Sequence, residues 1–249
     1  MNEKQNLGSQ TAKNGFKNED DIVEKFNNWE KDKDAQIWLT IMNFKLREIE
    51  YVEAVKISGY KIDVQVQVEI KIKKAIDVEN LQVKLVSNTR GFNQIDKRWI
   101  DNYDIMWNIP PNVKSISKRY TGEDVPSIKN PIDKRRMFLN EFTNIEQSVI
   151  INWLKKNQSL IVSDILKGRG KFAAEWMLVA QKAQKNARWT LKPMNFCLNY
   201  FGNGTIVISP RGTIKIGRIT MQRKGGDNGR DSAKMLQSKI NPAELFDVI

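Results

Sequence analysis

The chain has 249 residues, 40% of them hydrophobic, enough for one large packed domain and too many for global disorder. Its 41 lysines and arginines against 29 acids give a formal charge of +12, the balance of a protein that meets a polyanion such as DNA, although a membrane surface or an acidic protein could use the same charge. Histidine is absent, which excludes Ser-His-Asp triads, Cys-His dyads, zinc–histidine sites and histidine general bases together, so any hydrolysis must run on carboxylates, lysine and metal.

The first ten residues are polar, with no hydrophobic signal region. No apolar run approaches the ~20 residues that span a bilayer, so no membrane partner and a cytoplasmic location are expected. Ile22, Phe26 and Trp29 then recur at helical spacing behind Glu19-Asp20-Asp21, placed in a first turn where the helix dipole favours anions. Two further helices are expected over about 34–43 and 45–56. Gly59 closes that pattern and strict alternation follows, with Ile62, Val64, Val66, Val68, Ile70 and Ile72 on one face and Asp63, Gln65, Gln67, Glu69 and Lys71 on the other. A second strand over 81–86 sets Leu81, Val83 and Leu85 against Gln82 and Lys84. If the two strands pair, Asp63, Gln82 and Lys84 share one face at one end of a sheet.

Helical pattern returns over about 94–107 and stops at Pro110-Pro111, while 114–131 has no clear period and reads as surface structure or an insertion. Helices are expected over 137–156 and 172–185, the latter Ala-rich. Short strands follow over 188–191, 205–208, 213–216 and 218–222, joined by Gly and Pro turns. The single cysteine, Cys197, stands between Phe196 and Leu198 and reads as an inert buried thiol. No repeat or low-complexity tract is present, and the fold class is α/β, a mixed sheet flanked by helices.

Eighteen residues separate Asp63 from Gln82-Val83-Lys84. Hydrolysis of a phosphodiester needs a divalent cation on a non-bridging oxygen, and hard cations take oxygen ligands: the Asp63 carboxylate, the Gln82 amide oxygen and the Val83 carbonyl. Lys84, a point charge with three donors, would orient the water and stabilise the transition state. The same spacing also describes nothing more than polar residues on a solvated strand face.

Between Ser209 and Lys239 the chain carries eight basic side chains against two acidic ones. Within it, Gln222-Arg223-Lys224-Gly225-Gly226-Asp227-Asn228-Gly229-Arg230 offers arginines that can grip guanine O6 and N7 and an aspartate that can accept from cytosine N4. A flexible glycine loop that holds only phosphates fits the composition equally. Phe92, in Arg90-Gly91-Phe92-Asn93-Gln94, is either a wedge for a base step or a core phenylalanine over the sheet.

Together these blocks resemble the HinP-type type II restriction endonucleases of the PD-(D/E)xK superfamily, over nearly the whole chain. Further matching blocks are Gly15-Phe16-Lys17-Asn18-Glu19, Ile95-Asp96-Lys97, Asp133-Lys134-Arg135-Arg136-Met137-Phe138, Phe172-Ala173-Ala174-Glu175-Trp176, Asn186-Ala187-Arg188-Trp189 and Ser209-Pro210-Arg211-Gly212. The resemblance implies a restriction-endonuclease-like core and one domain over 1–249, with about 1–110 carrying the catalytic sheet and about 186–249 the recognition strands and loops. It implies a Mg²⁺ site on Asp63 and Gln82 with Lys84 beside it, and cleavage of both strands of GCGC after the first G. Phe92 is implied to intercalate, with Asn93, Gln94 and Lys97 close behind it. Lys13 and Lys17 are implied to meet the minor groove. Ser209, Arg211, Gln222, Arg223, Lys224, Asp227, Asn228 and Arg230 are implied to bind DNA, the last six as base readers in the major groove. A cognate methyltransferase and a homodimer are implied partners. Two positions depart from the pattern: Gln82 stands where the superfamily usually has an acid, and Ile62 where the family has a serine. The competing functions are a non-catalytic DNA-binding protein and a repair nuclease of the same superfamily.

Overall fold

A computed structural model describes residues 3–57, 66–73, 75–88, 91–182, 187–226 and 230–248. In chain order its elements are α1 (Glu3–Asn27), α2 (Lys33–Ile41), β1 (Ile49–Lys56), β2 (Val66–Ile72), β3 (Ala75–Val86), β4 (Asn93–Arg98), α3 (Ile100–Trp107), α4 (Pro111–Thr121), α5 (Asn144–Lys156) and α6 (Gln158–Leu166). Then follow β5 (Trp176–Gln181), β6 (Arg188–Pro193), α7 (Met194–Gly202), β7 (Ile206–Ile208), β8 (Ile214–Ile216), β9 (Ile219–Arg223) and β10 (Leu236–Ile240). The class is α/β, with the strands in two sheets and helices flanking them. No helix among the described residues is long and apolar enough to cross a membrane.

The chain forms two compact units. The first, Met1–Asn93 with Lys167–Cys197 and Asn241–Ile249, holds a sheet of order β1-β2-β3-β5-β6. All its pairings are antiparallel except β3 with β5, which run parallel. Ile22 and Phe26 of α1, Trp38 and Leu39 of α2, and Val52, Val66, Val68, Leu81, Val83 and Leu178 of the strands make its core. Phe26 and Trp38 meet with ring centroids 5.2 Å apart. Lys25 Nζ reaches Asp32 at 2.9 Å and Asp34 at 2.8 Å, while the Asp32 carboxylate accepts from Ala35 N and caps α2.

The second unit, Gln94–Leu166 with Leu198–Ile240, holds a sheet of order β4-β10-β9-β8-β7. Its interior is fastened by polar bonds. The Trp107 indole donates to buried Asp164 at 2.8 Å, and the Tyr120 hydroxyl donates to the Met221 carbonyl at 2.9 Å. Tyr103 also stacks on Trp107 at 4.3 Å and donates to buried Asp96.

Several expected elements differ. The helix expected over 45–56 is a short 3₁₀ turn followed by β1, because Val52 and Ala54 fill the core as alternate residues on a strand. The helix expected over 172–185 is β5, whose residues Met177 to Gln181 are all buried. A strand enclosed on both faces shows an unbroken apolar run that periodicity cannot tell from a helix. Residues 94–107 divide into β4 and α3. The 114–131 stretch contains most of α4, whose Val113, Ile116, Ser117 and Tyr120 are buried at helical spacing. Helix α5 starts only at Asn144, capped by Thr143 with Glu146, and α1 begins well before Glu19-Asp20-Asp21, which therefore lie in its interior. Helices α6 and α7 and strand β10 have no counterpart in the pattern read from sequence. Cys197 is buried as expected, and burial pushes its thiol up to about 12.

Gly122 ends α4 at a φ of +83°, its N–H bonded to the Lys118 carbonyl, and a Cβ there would meet the Arg135 carbonyl oxygen at 2.2 Å. Gly122→Ala is therefore expected to lower stability by more than the ~1–2 kcal/mol of the left-handed conformation alone. Urea unfolding measures it, and an unchanged midpoint would contradict the cap. At the solvent end of β3, burial and then neighbouring Glu175 raise the Glu79 carboxyl above its ordinary 4.5, against the lowering hydrogen bond from Trp176. A raised carboxyl contributes most below its unfolded value, and that contribution is lost as pH rises through the folded value. Glu79→Gln is thus expected to flatten the fall in melting temperature as pH is raised above 4.5, which thermal scans across pH would register.

Candidate functional site

Strand β3 is where the sequence-nominated chemistry meets the fold. From Asn80 to Lys84 every side chain is buried, so both faces of the strand are covered. Parallel pairing with β5 sets Gln82 opposite Met177 and Lys84 opposite Val179, in the middle of the five-stranded sheet. Gln82 has no solvent exposure, and neither its Oε1 nor its Nε2 has a hydrogen-bond partner among the described residues. An amide left unsatisfied in this position costs about 1–3 kcal/mol per group. Lys84 is 8% exposed. Polar residues on a solvated face would not be sealed in this way, which removes the bland reading of the spacing. Asp63, with Ile62 before it, lies outside the described residues.

Helix α1 brings two side chains that the sequence pattern did not nominate for the site. Asn18 is 1% exposed with neither amide atom partnered among the described residues, and Glu19 lies in the fields of Lys56 and Lys84. Burial raises the Glu19 carboxyl, the two lysines pull it back, and Asp20 adds to the rise. The signal was present in the spacing: Asn18 precedes buried Ile22 and Phe26 by one and two i+4 steps, so a polar residue occupies the apolar stripe. Asp20 and Asp21 are paired elsewhere, with Lys56 at 2.6 Å and Lys182 at 2.5 Å. Lys13 and Lys17 stand exposed on the same helix. Phe92 is 56% exposed, so it is not a core phenylalanine.

The second unit brings three of the other nominated residues, Ser209, Arg211 and Gln222, to one surface of its sheet. Ile214, Ile216, Ile219, Met221 and Leu236 are buried on one side, leaving the alternate positions of β8, β9 and β10 to the other. Register then aligns Lys215 with Thr220 and Thr220 with Lys239, and Gln222 with Gln237. A groove of about 380 Å³ on this surface is lined by Ser209, Arg211, Gln222 and Lys215, one of the eight basic residues of the stretch, together with Thr213 and Thr220, which the sequence had not singled out. The turn that presents Arg211 is fixed by bonds between Ser209 and Thr213 in both directions, 2.8 Å through the backbone and 3.1 Å to Ser209 Oγ. Lys239 is half-buried without an acidic partner among the described residues, and desolvation lowers its pKa.

The remaining nominated residues are less uniform. Arg223 turns inward, donating from Nη1 to the Thr121 carbonyl at 2.6 Å. Lys224 is held by a backbone bond to Met235, and Arg230 is exposed. On β4 Asn93 is half-buried, Lys97 is exposed, and exposed Gln94 accepts a bond from Gln237. Asp227 and Asn228 lie outside the described residues. A larger groove, about 480 Å³ along α2 and lined by Ile37, Ile41 and Leu46 among others, contains none of the nominated groups.

A sheet whose central strand seals an amide and a lysine, and a second sheet with a basic, amide-rich face, belong to the restriction-endonuclease class of fold. The crystal structure of restriction endonuclease MspI in complex with its cognate DNA is similar at a TM-score of 0.65 with 14% identity, covering 94% of this chain and 92% of that one. No curated protein matches the chain. Residues 42–246 match the family model of the R.HinP1I restriction endonuclease, and the chain belongs to that family. It is a type II restriction endonuclease, an enzyme of site-specific DNA cleavage, and the class works with divalent metal. The non-catalytic and repair alternatives fall with that assignment.

Gln82→Leu removes two buried unsatisfied atoms together with a proposed ligand. It is expected to raise the melting temperature while abolishing cleavage, whereas Gln82→Glu, which keeps an oxygen in place, is expected to cleave. Full activity in Gln82→Leu would remove the amide from the active site.

Proposed function

We propose that this enzyme is the nuclease of a restriction-modification system and hydrolyses double-stranded DNA at GCGC, cutting both strands after the first G to leave 5′ overhangs, with Mg²⁺ as its metal. The observation that carries the catalytic half is the Gln82 amide: a hard oxygen donor enclosed in the middle of the sheet, whose lone pairs no described group uses. An oxygen ligand set suits Mg²⁺. With no histidine in the chain and its one cysteine buried, the nitrogen and sulfur ligands that select softer metals are lacking. Asp63, Gln82 Oε1 and the Val83 carbonyl would hold the ion. When bound, it supplies positive charge to a non-bridging phosphate oxygen and lowers the pKa of water. Lys84, in its low-dielectric position, holds and orients the attacking water and counters charge developing on the phosphate.

Recognition falls to the polar face of the second sheet and the loops beside it. Arg211 and Gln222 line the groove; with Ser209, Arg223, Lys224, Asp227, Asn228 and Arg230 they form the DNA-binding set, in which Arg230 meets guanine, Asp227 meets cytosine and Arg211 meets phosphate. Phe92 wedges into a base step, and Asn93, Gln94 and Lys97 follow it on β4. Lys13 and Lys17 track the minor groove. The catalytic part of this single endonuclease domain spans about 1–110 and the recognition part about 186–249. Double-stranded DNA is the partner, as it is for MspI, whose structure holds its cognate DNA. A methyltransferase protects host sites, the enzyme pairs as a homodimer, and both work in the cytoplasm.

Digestion of an unmethylated closed circular plasmid with Mg²⁺, followed by sequencing of fragment ends, tests this. All ends are expected at GCGC, one base in. Discrete ends at another sequence would overturn the specificity. Asp63→Ala is expected to bind the same DNA without cutting it. If Arg211 touches phosphate, Arg211→Ala is expected to reduce the salt slope of binding by about one, equally on all sequences.

A further inference from the structure

Strand β10 carries no residue of the proposed recognition set, yet it lies between two strands that do. The sheet runs β4-β10-β9, and each of these strands contributes one glutamine: Gln94, Gln237 and Gln222. Gln237 is directly opposite Gln222 in the β9–β10 register, and its Nε2 donates to Gln94 Oε1 at 2.7 Å. Gln237 is 6% exposed, and its Oε1 is buried without a partner among the described residues. Gln94 is exposed and Gln222 half-exposed beside the groove.

We propose that Gln237 is a specificity-determining positioning residue, the centre of a three-glutamine relay that fixes which way the amides of Gln94 and Gln222 face the DNA. The proposal rests on the reading of this sheet face as the recognition surface. Isolated, a glutamine amide presents either its donors or its acceptor, since the two ends are nearly the same shape. A neighbour that fills one end decides what the other end offers. Because Gln237 donates to Gln94 Oε1, Gln94 is left with its NH₂ outward, a donor. The unpartnered Gln237 Oε1 then needs a donor of its own. Gln222 is one cross-strand step away, ~5 Å between Cβ atoms, and its Nε2 supplies that donor when the duplex orders the side chain, leaving the Gln222 oxygen outward as an acceptor. A donor from one strand and an acceptor from another is the complement of a G·C pair in the major groove, which offers guanine O6 and N7 as acceptors and cytosine N4 as a donor. The relay commits the polarity of both readers from a buried position that need not touch the DNA. Two lysines, Lys215 and Lys239, flank Thr220 on the same face, where they can hold phosphates while the amides read base edges.

The test compares wild type, Gln237→Met and Gln237→Glu on oligonucleotide duplexes carrying the enzyme's own cleavage site and each single-base-pair substitution of it, measuring kcat/KM for every duplex. Thermal unfolding and binding to a non-cognate duplex are followed alongside. Met keeps the length of glutamine and offers neither bond. Glu accepts from both neighbours, turning both outward ends into acceptors. Gln237→Met is expected to reduce the ratio of cognate to substituted cleavage by ~10- to 100-fold at one pair per half-site, with non-cognate binding unchanged. Gln237→Glu is expected to lose more at the guanine of that pair, and 7-deazaguanine there is expected to impair wild type but not Gln237→Glu. Unchanged ratios in both variants would overturn the relay while leaving the recognition surface in place, as would an equal loss on every duplex that follows a lowered melting temperature. Should Gln222→Ala also leave the wild-type ratio intact, the reading of this face as the recognition surface fails with it.

Discussion

A strand covered on both faces has no solvated side on which to place a polar residue. β3 is such a strand from Asn80 to Lys84, and much of the first unit depends on that enclosure. Parallel pairing with β5 creates it, because parallel strands belong to the middle of sheets with both faces covered. The hydrophobic half of the strand, Leu81 and Val83, joins the core with Ile22, Phe26 and Trp38. The polar half, Gln82 and Lys84, is carried into the same low-dielectric environment. There an oxygen ligand or an ammonium interacts with phosphate far more strongly than it would in water. On the proposed function, burial would be the means of catalysis as well as a cost in stability.

The second sheet solves the opposite problem. It keeps one face apolar through Ile214, Ile216, Ile219 and Met221, and gives the other to polar and basic side chains. Antiparallel strands allow this clean division, since each alternates inside and outside and registers with its neighbour. A row such as Lys215, Thr220 and Lys239 therefore arises from three strands far apart in sequence. Tyr120, whose hydroxyl holds the Met221 carbonyl, and Arg223, bound to Thr121, tie β9 to α4, so the surface rests on a fixed helix. A rigid support would suit the proposed recognition surface, whose readers must meet base edges in one geometry.

How legible the chain is depends on how its elements are buried. Half-buried strands such as β2 and β9 announce themselves by alternation, and α2 by its capped amphipathic turn. β5 does not, because full enclosure erases the period, and an Ala-rich run such as Phe172 to Ala180 then resembles a helix. β1 fails for another reason. Glu50, Glu53 and Lys56 imitate the charge pattern of an exposed helix, while only pairing with β2 makes Val52 and Ala54 a core face. Asn18 was visible as a polar residue on an apolar stripe, but Lys84, whose field reaches the adjacent Glu19, is 65 positions from that glutamate and only folding brings the two together.

The sequence by itself determined the chemistry that was possible. Without histidine, and with one cysteine placed among apolar neighbours, the available groups were carboxylates, amides and lysines. The ordered blocks from Gly15 to Arg230 pointed to the restriction endonucleases, the class in which family and fold comparison place the chain. Tertiary structure alone decided which polar groups lose their water and which keep it. Gln82 and Gln237 are both glutamines within strands, and nothing local marks either as sealed from solvent with an unsatisfied oxygen. That distinction depends on which strands become neighbours and what covers them, and it is settled by the free energy of burying the apolar side chains around them.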